Sequence, residues 1–307
     1  MGIDYFGQRL LQSLLSLAAL MVVVFFLTRL TGSPVDLYLP LDATQQMRDE
    51  LAARLGLDKP IYLQFVDWLG SMLRLDFGMS LWQSRPALTL VLEALPQTLL
   101  LGALVILISL VLAMIVGSLA AFRPHGVFDR LASSITLAGS SIPDFWFALM
   151  GILVFATQLK ILPTSGFGGP AYWVLPIMTL SLRPFGVLVQ IVRGAMISAL
   201  TSAYARTARS KGAQERRVIF VHALRNAMLP VVTVAGDLAA QFAGGVTVVE
   251  VIFNWPGIGK LVIDAIFNRD FAVVQAGVLS VAVVVTLINL AIDFAYGAID
   301  PRVRVER

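Results

Sequence analysis

Cysteine is absent from the 307 residues, which excludes disulfides and thiolate chemistry. Charge is scarce: 14% of the residues are Asp, Glu, Lys or Arg, against about 25% in ordinary soluble domains. With 58% hydrophobic residues and a mean hydropathy of +0.82, that scarcity argues against a soluble globular domain and a basic nucleic-acid-binding face upon one. Only two histidines occur, His125 and His222. There is no H-E-x-x-H metal pair, no G-x-S-x-G nucleophile turn and no pair of G-x-D motifs, so the usual embedded hydrolases find no catalytic residues here. None of the four lysines (Lys59, Lys160, Lys211, Lys260) completes a G-x-x-x-x-G-K frame, so no P-loop is present. The expectation is a protein that is not an enzyme and holds neither a metal nor a cofactor.

What is present is long apolar sequence. Uncharged runs of roughly the 20 residues a bilayer requires occur at Leu10–Thr28, Ala94–Phe122 and Phe271–Ile292. Three more are each interrupted by one ionisable residue: Leu131–Leu159 by Asp144, Tyr172–Val192 by Arg183, and Asn226–Val249 by Asp237. These predict an all-α membrane protein of six spans. Leu10–Thr28 exceeds the usual apolar core of a secretory signal and no small-residue cleavage site follows, so a retained helix is expected. Small residues spaced by four, Ala113, Gly117 and Ala121, then Gly236, Ala240 and Gly244, predict close helix packing.

The charges are unevenly distributed. Segment 31–93 carries eight acids and five bases, whereas Arg193–Arg225 carries seven bases and one acid, and three arginines follow Asp300. Positive-inside bias then places both termini and the Arg-rich loop in the cytoplasm. Within 31–93, Asp42 is expected to cap a helix ending at Leu55 before Gly56. After Pro60, the residues Ile61, Phe65, Trp68, Leu69, Met72 and Leu73 share a helical face, suited either to the outer interface or to a cap over the bundle. The organisation is a single membrane domain over 1–307, with 31–93 outside and a cytoplasmic loop over 194–229.

Charged residues beside prolines in apolar helices point toward transport, because polar groups in hydrocarbon are tolerated where they face a cavity or partner. Asp144 and Asp237 are candidates for a translocation path. Asp237 lies about eleven residues into its helix, near mid-bilayer at ~1.5 Å per residue, although a structural hydrogen bond serves equally well there. Asp293 is expected to pair with a tail arginine, and Arg193 to snorkel at a boundary.

The densest motif is YARTARSKGAQERRVIFVHALRNAMLP, where six bases and the single acid Glu215 fall between Arg206 and Arg225. Ser202 predicts a cap for a short helix ending at Lys211, with Gly212 as its left-handed stop. Ala205, Ala208 and Gly212 share one side of that helix and Arg206 and Arg209 flank it, and a second helix restarts at Gln214 and Glu215. Such a bare, basic-edged knob suits docking into a protein groove lined by acids, or anchoring on anionic lipid.

This run resembles the signature of the inner-membrane permeases of bacterial ABC importers, in the dipeptide/oligopeptide/nickel branch. L-G-L-D-K-P at 55–60, D-F-G-M-S at 76–80, I-P-D-F-W at 142–146 and V-V-E-V-I-F-N-W-P-G-I-G at 248–259 are similar to the same branch. R-D at 269–270, Asn289 with Asp293, and D-P-R-V-R at 300–304 extend the resemblance to the C-terminus. It departs from the general permease motif: Arg206, Thr207 and Ala208 stand where Glu-Ala-Ala would, and His222 and Arg225 replace an Ile and a Pro. Gly212 is retained, and these departures look usual for the peptide branch.

The resemblance implies a Type I importer permease fold in the bacterial inner membrane. It implies a second homologous permease, two cytoplasmic ATPase subunits that bind the ATP, and an extracytoplasmic solute-binding protein meeting 31–93 and Glu250–Asp270. It makes Ser202, Ala205, Arg206, Ala208, Arg209, Lys211, Gly212 and Glu215 a coupling helix for ATPase docking. Peptide is the expected solute, with nickel, opine or glutathione as alternatives. A self-contained secondary transporter and a channel are the rival classes, marked respectively by ATP-independent uptake and by passive ion current.

Overall fold

The computed structural model describes residues 3–30, 32–33, 35–40 and 42–299. Those residues form helices and contain no strand, only an isolated antiparallel bridge between Met79 and Pro86. In chain order the helices are α1 (Ile3–Leu30), α2 (Val35–Tyr38), α3 (Gln45–Arg54), α4 (Ile61–Met72), α5 (Ala87–Phe122), α6 (Val127–Ser140) and α7 (Asp144–Gly151). Then follow α8 (Ala171–Thr201), α9 (Ala203–Ser210), α10 (Glu215–Arg217), α11 (Leu224–Gly245), α12 (Thr247–Ile252), α13 (Ile258–Phe267) and α14 (Phe271–Ile299). Wider π-helical turns extend α7 over Ile152–Gln158 and join α10 to α11 over Val218–Ala223.

Among the described residues, five helices are long and apolar enough to cross a membrane, and the bent pair α6 and α7, counted as one span, makes a sixth. The span expected over Leu131–Leu159 is thus a bent one: the chain turns through 99° between α6 and α7. Pro143 explains the break, since it donates no N–H and pushes Ile142 out of the helical region. Asp144 consequently stands in the first turn of α7 rather than in mid-helix.

The chain divides into two compact units, Met1–Thr98 with Pro256–Leu287, and Leu99–Trp255 with Ile288–Arg307. In the first, Ala87, Leu90, Val91 and Ala94 of α5 bury against Ile258, Ala265, Val273 and Ala276 of α13 and α14. The hydroxyl of Thr98 accepts from the backbone N–H of Ile258 at 2.9 Å, satisfying a donor at the head of α13. Gln275 donates to the Thr28 hydroxyl at 3.1 Å, a buried polar link between α14 and α1.

Thr44, not Asp42, caps α3, its hydroxyl accepting from Met47 N–H at 3.4 Å; the register starts two residues later than expected. Gly56 does close that helix with φ +66°. On α4, Phe65 and Trp68 lie 5.1 and 5.3 Å from the ring of Phe25 on α1, and Met72 is buried. That half of the apolar stripe packs onto α1, while Ile61 and Leu73 stay exposed.

Two distant sequence motifs meet in this unit. The buried carboxylate of Asp270 accepts from the Ser80 hydroxyl at 2.5 Å and from the N–H groups of Trp82 and Val273 at 3.3 and 3.4 Å. It caps α14 and pins the D-F-G-M-S turn at once. Arg269 donates to the Ser33 carbonyl at 3.1 Å.

In the second unit, Gly117 of α5 brings its backbone onto α8: a Cβ there would sit 2.8 Å from Val192. Ala113 and Ala121 are buried on the same ridge with Leu188, Val189 and Val192, so these small residues serve intrachain packing. Gly236 likewise approaches Ile292, and Ala240 is buried. Arg193 does not snorkel. Its guanidinium forms a two-pronged ion pair with the buried carboxylate of Asp129 on α6, one prong at 2.7 Å. An exposed ending would leave that carboxylate buried without a counter-charge. A second core gathers Trp255, Trp173 and Phe167, with ring centroids 4.5 and 4.9 Å from Trp255. The side chain of Asp293 and residues 300–307, including the tail arginines, lie outside the described residues.

Candidate functional site

The α8–α11 connection folds as a knob. The Ser202 hydroxyl caps α9 by accepting from Ala205 N–H at 3.3 Å, while donating back to the Ala199 carbonyl at 2.6 Å. One side chain thus serves the end of α8 and the start of α9. The helix closes at Lys211, where Gly212 takes φ +80° and its N–H reaches the Arg209 carbonyl at 2.9 Å. The next N–H, of Ala213, bonds the Ala208 carbonyl at 3.1 Å, so the carbonyls at the end of α9 are satisfied. A Cβ at Gly212 would meet nothing within 4 Å.

The faces of α9 differ from the sequence expectation. Ala205 is wholly buried within this chain and Ala208 is half-buried, so the small side chains let α9 lie down on its own protein. The outward surface is Tyr204, Arg206, Thr207, Ser210 and Lys211, followed by Gly212.

Arg209 is also not the simple flank residue expected. It donates to both carboxylate oxygens of Glu215, at 3.1 and 2.7 Å, and to the Leu200 carbonyl at 3.0 Å. A single guanidinium therefore ties the end of α8, the end of α9 and the start of α10 together. The hydrogen-bonded carboxylate holds this guanidinium above its ordinary range. Arg206, Lys211, Arg216 and Arg217 are exposed and make no side-chain hydrogen bond or ion pair among the described residues. The knob presents uncompensated positive charge on a braced backbone.

Among the described residues, the two acids expected on a translocation path lie apart: the cavity that Asp144 lines does not include Asp237. Asp144 lines a cavity of ≈ 80 Å³ with Arg183 of α8 and Gln241 of α11. Asp237 is exposed on α11, one turn before Gln241. With Thr233 these form a polar stripe at four-residue spacing along the part of α11 that follows Asn226, where the other residues are apolar or small. Gln241 was missed in the sequence; its four-residue spacing from Asp237 was the available signal.

Residues 113–305 match the model of the family described as binding-protein-dependent transport system inner membrane component. The chain is 38% identical to a probable peptide ABC transporter permease of Sinorhizobium fredii, over 99% of this chain and 100% of that one. It is 36% identical to an oligopeptide transport system permease of Bacillus subtilis, over 97% and 98% of the two chains. It is also 36% identical to a glutathione transport system permease of Escherichia coli K12, over 98% and 99%. A crystal structure of an amino acid ABC transporter with histidines shares the fold, with a TM-score of 0.53 at 16% identity, over 70% of this chain and 94% of that one. The chain belongs to the binding-protein-dependent inner membrane components, the multi-pass permease subunits of ABC importers.

Proposed function

We propose that this permease imports peptides or a closely related small solute delivered by an extracytoplasmic binding protein, and that α9 with Gly212 is where an ATPase subunit docks. It pairs with a second, homologous permease, and two separate ATPase subunits supply the energy. The observation that carries the docking reading is the braced knob: a capped helix whose Arg209 is neutralised internally while four neighbouring bases are left for an acidic partner surface. Both termini and this knob lie in the cytoplasm on this reading, and the permease itself binds no ATP.

On the other side of the membrane, segment 31–93 and Glu250–Asp270 face the binding protein. An open cleft of ≈ 310 Å³ in the first unit supports this, since it is lined by Trp82, Arg85, Glu93, Lys260 and Asp264 and offers polar and aromatic anchors. The peptide-type names of the relatives favour peptide as the solute, and the glutathione relative supports a second reading within the same class.

Reconstitution tests the proposal. In liposomes the chain alone is expected to show neither ATP hydrolysis nor uptake of labelled peptide. Both should arise on adding the second permease, the two ATPase subunits and the loaded binding protein. Uptake by the chain alone on a proton or sodium gradient would refute it.

A further inference from the structure

The turn from α5 into α6, residues 123–130, sorts its side chains by sign. Its one acid, Asp129, is buried, where the carboxylate accepts from the backbone N–H of His125 at 2.7 Å and from the Arg193 guanidinium. Arg123 and Arg130 are exposed and make no side-chain hydrogen bond or ion pair among the described residues. Beside them Phe122, Val127 and Phe128 are 53, 77 and 50% exposed, and Leu131 and Ile135 continue that apolar face along α6. An apolar patch edged by unpaired cations marks a membrane or partner surface. At a bilayer edge both kinds of group are satisfied, the apolar ones by acyl chains and the cations by headgroups.

Behind this turn lies a cavity of ≈ 240 Å³. Phe122 and Pro124 of the turn and Ile197 and Leu200 of α8 supply apolar walls, and Arg209 and Glu215 of the knob supply polar ones. Arg123 stands between two of the lining residues. Arg209 uses three of its five N–H groups on Glu215 and the Leu200 carbonyl, which leaves two donors. Its charge is matched by Glu215, so the unbalanced charge beside the cavity is that of Arg123.

We infer that this turn and cavity form a site for one anionic phospholipid of the inner leaflet. Arg123 and Arg130 take the phosphate-bearing headgroup, which reaches into the cavity, and Phe122, Val127 and Phe128 lie against the acyl chains. The inference rests on the cytoplasmic placement proposed above and adds a lipid to the protein partners. A guanidinium matches a phosphodiester by two parallel hydrogen bonds. A zwitterionic headgroup brings its own cation, which the two arginines repel. Because Arg209 and Glu215 also brace the end of α9, a lipid seated here stiffens the docking knob from behind.

Lipid titration tests it. The importer, assembled with its second permease and ATPases, is titrated in detergent with phosphatidylglycerol or phosphatidylcholine, and bound lipid is read by native mass spectrometry. The wild type should take one phosphatidylglycerol in preference to phosphatidylcholine, by about fivefold in affinity for each of the two bases. Arg123→Gln with Arg130→Gln should lose that preference, and lysine at both positions should keep most of it. Ile197→Phe narrows the cavity and should weaken the same lipid with both arginines in place. Should that variant fail to assemble, the arginine pair alone decides.

A wild type indifferent to the two lipids overturns the site, as does a double glutamine variant that keeps the preference, including one that loses ATPase co-purification instead. Displacement of the lipid by soluble glycerol phosphate also overturns it, since the site then reads a phosphate and not a membrane lipid. These outcomes leave the permease reading standing. Labelling of Ser210→Cys by an impermeant reagent from outside intact cells takes down both the lipid site and the cytoplasmic placement.

Discussion

Replacing Gly212 by valine isolates the docking claim, because the structure separates the two ways in which this substitution can act. The first is internal. Gly212 sits at φ +80°, a region that strains a residue with a Cβ by about 1–2 kcal/mol. No atom lies within 4 Å of the Cβ position, so collision inside the chain adds nothing. That strain shifts a local equilibrium by a factor of about 5–30 at most. It falls on a helix held elsewhere by the Ser202 cap, by buried Ala205 and by the Arg209 clamp. The knob should loosen at its C-terminal turn and stay attached, with insertion unchanged.

The second way is external. If an ATPase packs over this turn, the valine methyls fill space the partner needs, and the loss exceeds what strain alone explains. Three variants resolve the terms: Gly212→Asn, which tolerates a left-handed backbone; Gly212→Ala, which adds strain and one methyl; and Gly212→Val, which adds bulk. The assays are ATPase co-purification with the permease pair and ATP hydrolysis stimulated by loaded binding protein. The expected order of loss is Asn, then Ala, then Val, with Val beyond thirtyfold in association. Wild-type co-purification and stimulated hydrolysis in Gly212→Val would refute the docking assignment.

Arg209→Glu should disturb the knob through its own fold, since it opposes Glu215 and abandons the Leu200 carbonyl; the swap Arg209→Glu with Glu215→Arg should recover part of the loss. The pair is partly exposed, so a double-mutant cycle on thermal unfolding should give a coupling no larger than about 1 kcal/mol. Arg193→Leu leaves Asp129 buried without its partner and should destabilise by about 3–5 kcal/mol, read as a lower unfolding midpoint in detergent; an unchanged midpoint contradicts the clamp. Ser210→Cys places a single thiol on the outward face of α9 in a chain otherwise free of cysteine, and an impermeant maleimide should label it in inverted vesicles and not in intact cells.

Hydropathy located the spans and local chemistry located the knob, because both depend on neighbours in the chain. Ser202 and Gly212 are readable for that reason: a cap and a left-handed stop act over three or four residues. Direction is not readable in the same way. An apolar window scores Leu131–Leu159 alike whether it runs straight or turns through 99°, and only Pro143 hinted at the break. Periodicity showed that Ala205 and Ala208 share a face, but not whether that face meets a partner or its own chain. Ser80 and Asp270 are 190 positions apart, and Asp129 and Arg193 are 64 apart; neither pairing leaves a local mark.

Charge is the clearest instance of that division, and it bears on how this permease works. Where charges are few, each location carries information, and location was visible from the start. The state of pairing was not, and it is pairing that sorts the roles. Arg193 and Arg209 are spent within the chain on Asp129 and Glu215, and their loss is expected to appear as instability. Arg206, Lys211, Arg216 and Arg217 are left facing outward, which is the condition for steering and holding an acidic partner. Asp144 and Arg183 fall in neither group: they line one open cavity with Gln241, Arg183 exposed, and neither closes on the other as an ion pair nor faces outward with the bases of the knob.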